Sequence, residues 1–403
     1  MIKRLALIAL LFVSACSWIS PNQGAAPTAT DPVQIPLTQV ATATPLPPTA
    51  TPPPLPTDTS APTLTPTPVA FGPSDFPANI SPLSALVASD PANLERRPVA
   101  VKVQLFPRGQ RPPWGVSRAD IVYDFYQTFG LTRLHAIFLG ENAEVVGPIR
   151  SARLLDIDLI NMYKSIFAFG GAESRTINKL FNQAFANRLM LEGSGKCPPM
   201  CRVDPNNYNY LVVNTAEVTN YANAQGIDNA RQNLDGMSYN GAIPAGGTSA
   251  PQLFVRFSIS SYSRWDYDTA SGRYLRFQDS IEANDVQSEV YEPLNDRENN
   301  AQVAADNVVV LIVPHQYAYG TRPGPNEVID IMLSGSGKGY AFRDGQVFEV
   351  TWNRPAPDSV LFLTLPDGTP YTFKPGNTWF QIVGQSSKIE NPEGIWRFTM
   401  AIP

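Results

Sequence analysis

The sequence predicts an α+β protein, with a mixed α/β N-terminal domain followed by a mostly antiparallel, β-rich C-terminal region. Three observations carry that prediction. Short apolar runs with strand-like alternation recur from residue 99 to the end of the chain. Helical spacing interrupts them in the first half, at 154–163, 174–185 and 215–224. Beyond residue 252 the runs follow each other at short intervals, separated by Gly, Asp, Pro and Asn, as in Arg343-Asp344-Gly345 and Pro366-Asp367-Gly368.

Not all of the 403 residues can enter such a fold. Residues 1–15 have the layout of an export signal: Lys3 and Arg4, then an apolar stretch 5–13, too short to span a membrane with these flanks. It ends in Val13-Ser14-Ala15-Cys16, which resembles a bacterial lipoprotein signal and implies cleavage before Cys16 and lipidation of that cysteine. An ordinary secretory signal is the alternative. Loss of Lys3 and Arg4 takes the net charge from -5 to -7. Residues 16–75 form the expected anchor and stalk. Pro, Thr, Ala and Ser dominate from 20 to 74, with too few apolar groups for a core. In polyproline II, at ~3.1 Å per residue, such a stalk reaches on the order of 100–150 Å.

The expected N-terminal domain covers 76–230. Residues 99–105 alternate and read as a strand, and the breaker-rich stretch 106–113 reads as a loop. Residues 121–126 and 131–139 read as a strand pair. Pro148 stops regular structure before Ser151, the expected N-cap of a helix carrying Leu155, Leu159 and Met162 on one face. A short strand at 167–169 ends in Gly170-Gly171, which permits a tight turn; helices at 174–185 and 215–224 flank a strand at 211–213. The segment 214–250 is the expected junction, and the C-terminal domain covers 251–403. Its strands are expected at 254–257, 274–277, 308–313, 328–332, 347–352, 360–364, 371–373, 379–383 and 395–400.

Composition narrows the chemistry. Charged residues make up only 16% and no long basic run exists, so nucleic acid is not an expected partner. With two histidines, His135 and His315, neither a metal site nor a cofactor is expected. Cys197 and Cys201 flank two prolines in one loop. Pairing is the expected outcome outside the cytoplasm, metal binding and redox chemistry being the alternatives. Gly193-Ser194-Gly195-Lys196 and Gly335-Ser336-Gly337-Lys338 are not phosphate loops. Met190 and Met332 stand where the first glycine belongs, and neither lysine precedes Ser or Thr. The aromatic and acidic run Trp265-Asp266-Tyr267-Asp268 suits either a sugar site or a hairpin end.

One stretch draws polar groups together: Gly147-Pro148-Ile149-Arg150-Ser151-Ala152-Arg153. Arg150 and Arg153 bracket a helix start, where free amides and the dipole favour an anion and disfavour cations. Asp120, Asp124 and Arg133 come from the adjacent strand pair, and Glu173 follows the glycine turn. Such a cluster is either a recognition site or a structural ion network.

The runs Arg97-Pro98-Val99-Ala100-Val101, Ser117 to Asp124, Leu131-Thr132-Arg133-Leu134 and Gly147 to Arg153 resemble the YerB family of bacterial extracytoplasmic lipoproteins. Asp306-Asn307-Val308-Val309-Val310, Gly345-Gln346-Val347 and Thr351-Trp352 are similar to that family's C-terminal half. The resemblance spans about residues 93–402 and implies a domain of unknown function, in two halves, outside the cytoplasm. The chain departs from the family pattern at Asp124, where Glu is usual, and at Asn207-Tyr208-Asn209, where Pro-His-Asn is usual.

Two functions are therefore expected. The first is a lipid-anchored binding module, not an enzyme, with Arg150, Ser151, Arg153, Arg133, Asp120, Asp124 and Glu173 around the ligand. Its partners would be the membrane, through Cys16, and an anionic or glycan envelope ligand, cell-wall material or an envelope protein. The alternative is a hydrolase of wall or surface polymers using Asp120, Asp124 or Glu173 as acid or base.

Overall fold

A computed structural model describes residues 69–193, 195–204 and 210–402. The signal segment, Cys16, the stalk up to residue 68 and the motif Asn207-Tyr208-Asn209 lie outside the described residues.

Two sheets organise the described chain. The larger has eleven strands, in the order Thr248–Ser249, Gln346–Arg354, Gly335–Arg343, Asn307–Val313, Thr378–Gly384, Ile121–Thr128, Leu131–Phe138, Val99–Gln104, Ile166–Phe169 and Leu189–Leu191, with Phe362–Thr364 beside Gln346–Arg354. The expected halves, 76–230 and 251–403, share this sheet. Thr378–Gly384 runs parallel to Asn307–Val313 on one side and parallel to Ile121–Thr128 on the other. The smaller sheet has seven strands, built around Gln252–Arg256, Tyr262–Asp268, Arg273–Asp279 and Ile395–Thr399. Most pairs are antiparallel as expected, but Gln252–Arg256 and Ile395–Thr399 pair in parallel.

Helix α1 (Leu154–Tyr163), α2 (Ser174–Phe181) and α3 (Glu217–Ala224) come from the first half. Strand alternation decides what each sheet face meets. Tyr123 and Phe125 face α1; the Tyr123 and Tyr163 hydroxyls lie 2.7 Å apart. Val122, Asp124, Trp379 and Gln381 face the other way, towards the smaller sheet, where Trp379 meets Trp265 edge-on at 5.3 Å. Both faces are buried, which accounts for the almost unbroken burial of Ile121–Thr128.

Several local expectations need correction. Ser151 is not the N-cap of α1. The helix starts at Leu154 with Arg153 as N-cap, because Asp156 reaches back to take the Arg153 amide at 2.6 Å. Helix α2 stops at Phe181 and not at 185, giving way to a short turn at Ala186–Arg188. The run Trp265-Asp266-Tyr267-Asp268 is the hairpin end offered as one of two readings: it closes the Tyr262–Asp268 strand with Asp268 opposite Arg273, Trp265 is fully buried, and Asp266 pairs with Arg264 at 2.8 Å. Gly335-Ser336-Gly337-Lys338 opens the Gly335–Arg343 strand, and Gly337 is glycine for a packing reason. A Cβ there would stand 2.7 Å from the Trp352 indole. Cys197 and Cys201 are disulfide-bonded, with Cα atoms 4.8 Å apart.

Candidate functional site

The 147–153 loop is fixed from two sides. The Arg150 amide donates to the Lys102 carbonyl, and the Gly170 amide donates to the Arg150 carbonyl. The Ala152 amide donates to the Gly171 carbonyl. Gly171 has φ +133, a conformation that L side chains rarely adopt, so this turn requires glycine. The loop thus sits where the Val99–Gln104 strand, the glycine turn and the start of α1 meet.

Three arginines converge there. The Arg133 Nη1 donates to the Ser151 carbonyl at 2.7 Å, and the Arg153 Nη1 to the Ala152 carbonyl at 2.8 Å. Arg150 donates from Nε to the Gln104 amide oxygen at 2.7 Å. Beneath them lies a dry ion cluster that sequence reading passes over. Lys102, His135 and Asp156 are fully buried. The Lys102 ammonium lies 2.9 Å, and His135 Nδ1 2.8 Å, from the same Asp156 oxygen. Burial pushes the Lys102 ammonium down to about 8 despite Asp156. It also lowers His135, so the ring is neutral and donates from Nδ1. Burial pushes the Asp156 carboxyl up, but Lys102 and His135 outweigh it and hold the group near 2. Burial brings the Arg153 guanidinium down to about 10. The sequence did carry a signal for this cluster: Lys102 interrupts an apolar strand, and Asp156 falls on the buried stripe of α1 with Ile160 and Tyr163.

The carboxylates expected beside these arginines are elsewhere. Asp120 sits at the far end of the strand, with Oδ1 taking the Ser81 and Ser84 hydroxyls at 2.8 Å each and Oδ2 the amides of Leu139 and Gly140 at 2.8 and 3.0 Å. Asp124 faces the smaller sheet and pairs with Arg276 at 2.7 Å. Arg133 pairs across the hairpin with Phe125 and so shares its face, opposite Asp124. Glu173 is the one acid that the structure brings to the arginines. It caps α2, taking the Arg175 and Thr176 amides at 3.0 and 3.1 Å, and pairs with the Arg175 side chain at 2.8 Å. Although burial raises its pKa, these donors hold the Glu173 carboxyl below its ordinary value.

Beside the arginine loop is a cavity of about 270 Å³, lined by Arg153, Glu173, Arg175, Thr176, Thr128 and, from the second half, residues 325–328. Arg153 spends only Nη1 on protein acceptors and forms no ion pair among the described residues. The Thr176 and Thr128 hydroxyls are buried without a hydrogen-bond partner. No group of three metal-ligating side chains is present among the described residues, and none of their helices is long and apolar enough to cross a membrane.

Comparison with known proteins agrees with this architecture. The chain is 30% identical over 314 residues to the protein named "Putative lipoprotein YerB" of Bacillus subtilis (strain 168), covering 75% of this chain and 86% of that one. A crystal structure of the YerB protein from Bacillus subtilis superposes with a TM-score of 0.60 at 26% identity, over 75% of this chain and 96% of that chain. Residues 83–228 match the N-terminal domain, and residues 253–380 the C-terminal domain, of a family described as protein of unknown function (DUF3048). The chain therefore belongs to this YerB-like, two-part DUF3048 family.

Proposed function

We propose that the protein is a membrane-anchored extracytoplasmic binding module whose ligand is anionic and belongs to the cell envelope. Anchoring would run through lipidated Cys16, in keeping with the lipoprotein name of its relative. One observation carries the ligand reading: Arg153 lines a cavity and has no ion-pair partner among the described residues. A carboxylate or phosphate there would gain charge-assisted hydrogen bonds, each stabilising by roughly 1.5–3 kcal/mol. Lys102, Arg133 and Arg150 add positive potential behind it, offset chiefly by Asp156. The hydrolase alternative draws less support, because Asp120 bonds within the fold and Asp124 is buried against Arg276, instead of the two facing each other across a cleft.

The test is titration calorimetry of the full chain against inorganic phosphate and soluble anionic wall fragments. Saturable binding that falls at least about tenfold in Arg153→Ala is expected, the loss of one charge-assisted contact. Equal binding by the variant would remove Arg153 from the site.

A further inference from the structure

The cavity at Arg153 also contains an acid that has no counter-ion. Glu327 is 7% exposed, and it lines the same cavity. Its Oε1 accepts from the Tyr126 hydroxyl at 2.7 Å and the Phe129 amide at 2.6 Å, two contacts that fix its orientation. Its Oε2 takes no protein donor, and among the described residues no lysine or arginine forms an ion pair with it. A nearly buried carboxylate without a partner charge is costly. Arg175, the other cation lining the cavity, is spent on Glu173 and stacks at 4.6 Å over the Tyr319 ring. Two opposite charges, Arg153 and Glu327, therefore line one cavity, do not pair with each other, and have no other ion-pair partner among the described residues. Thr176 and Thr128 line that same space.

We infer that this cavity takes a small zwitterion, an amino acid or the free end of a short peptide, with its carboxylate on Arg153 and its ammonium on Glu327. This rests on the anion-binding reading above and adds a second charge to it. Size agrees: about 270 Å³ is below the roughly 300–1,000 Å³ of drug-sized sites. A ligand with both charges offsets both unpaired groups at once, whereas a plain anion leaves Glu327 uncompensated and adds repulsion.

Calorimetry with four probes decides the matter: alanine or dialanine, N-acetylalanine, alaninamide and inorganic phosphate, each against the full chain and Glu327→Gln. Glutamine keeps an oxygen for Tyr126 and Phe129, so the fold is retained. Free alanine or dialanine should bind at least about tenfold more tightly than the acetylated or amidated form, each of which lacks one charge. Glu327→Gln should remove the preference for the free probe over N-acetylalanine, and N-acetylalanine itself should bind no more weakly, since the repulsion from Glu327 is gone. If N-acetylalanine or phosphate binds as tightly as the free probe, the zwitterion is overturned while the anion site stands. If no probe binds, and anionic wall fragments also fail, both readings fall.

Discussion

Two buried charge clusters lie on opposite faces of the Ile121–Thr128 strand, and they differ in whether their charges are spent. On the face towards the smaller sheet, Asp124 meets Arg276, whose guanidinium lies between the Trp265 and Trp379 rings at 5.1 and 4.7 Å. That pair is sealed, with neither side chain more than 1% exposed. On the α1 face, Lys102, His135 and Asp156 are equally dry, but the arginines above them reach the edge of the fold and Arg153 opens on a cavity. Sealed charge specifies how the sheets pack. Charge that reaches a cavity unpaired is available to something outside the chain.

The largest expected effect tests the sealed side. Arg276→Met should cost about 3–5 kcal/mol in chemical denaturation, because Asp124 is left charged in a dry interface. A loss below 1 kcal/mol would mean that water reaches Asp124, and the contrast between the faces would fail. Acid comes next. The Asp156 carboxyl is depressed from 3.8 to about 2 in the fold, so the stability it contributes is present above pH 4 and is lost as pH falls through about 2. By linkage this is worth about 2 kcal/mol. His135 is lowered as well, so the unfolded chain takes up its proton first and stability begins to fall below pH 6.5. Thermal melts between pH 7 and 2 should show both phases, and Lys102→Met should weaken the lower one.

Smaller effects sharpen the open side. Arg150→Ala combined with Arg153→Ala should change stability by no more than about 1 kcal/mol, as for changes outside the core, while anion binding falls at least tenfold. A melting temperature that collapses in this double variant would make the arginines structural. Thr176→Val should be the mildest, within about 0.5 kcal/mol of the parent or slightly stabilising, since its hydroxyl has no partner to lose.

Most long strands were legible because each repeats a local pattern, and 99–105, 121–126 and 308–313 fall within a residue or two of the observed bounds, but Tyr262–Asp268 and Gly335–Arg343 were not among the expected strands. The arginine loop and Glu173 were legible too, since a helix start and a glycine turn are local events. What escaped depends on register and on distant chain. Asp124 and Arg133 look like neighbours in sequence, but the hairpin turns through Phe129 and Gly130, at φ 54 and 72, with a bulge between Tyr126 and Thr128. That register sets Arg133 opposite Phe125 and sends Asp124 to the other face. Glu327 joins Thr128 and Thr176 only in three dimensions, and no periodicity announces it. Ser151 lost its role as cap because Asp156, three residues further on than Arg153, is better placed to take the first free amide.

The Thr378–Gly384 strand has a consequence in time. It enters the large sheet between Asn307–Val313 and Ile121–Thr128, and in chain order it follows every other strand of that sheet. Until it arrives, both neighbours present long apolar edges with unsatisfied backbone groups, a template for pairing with other chains. The pairing it completes joins residues far apart in sequence, which is slow by nature. A nascent chain therefore stays sticky until this strand has emerged, and a chain cut short before residue 378 keeps those edges for good.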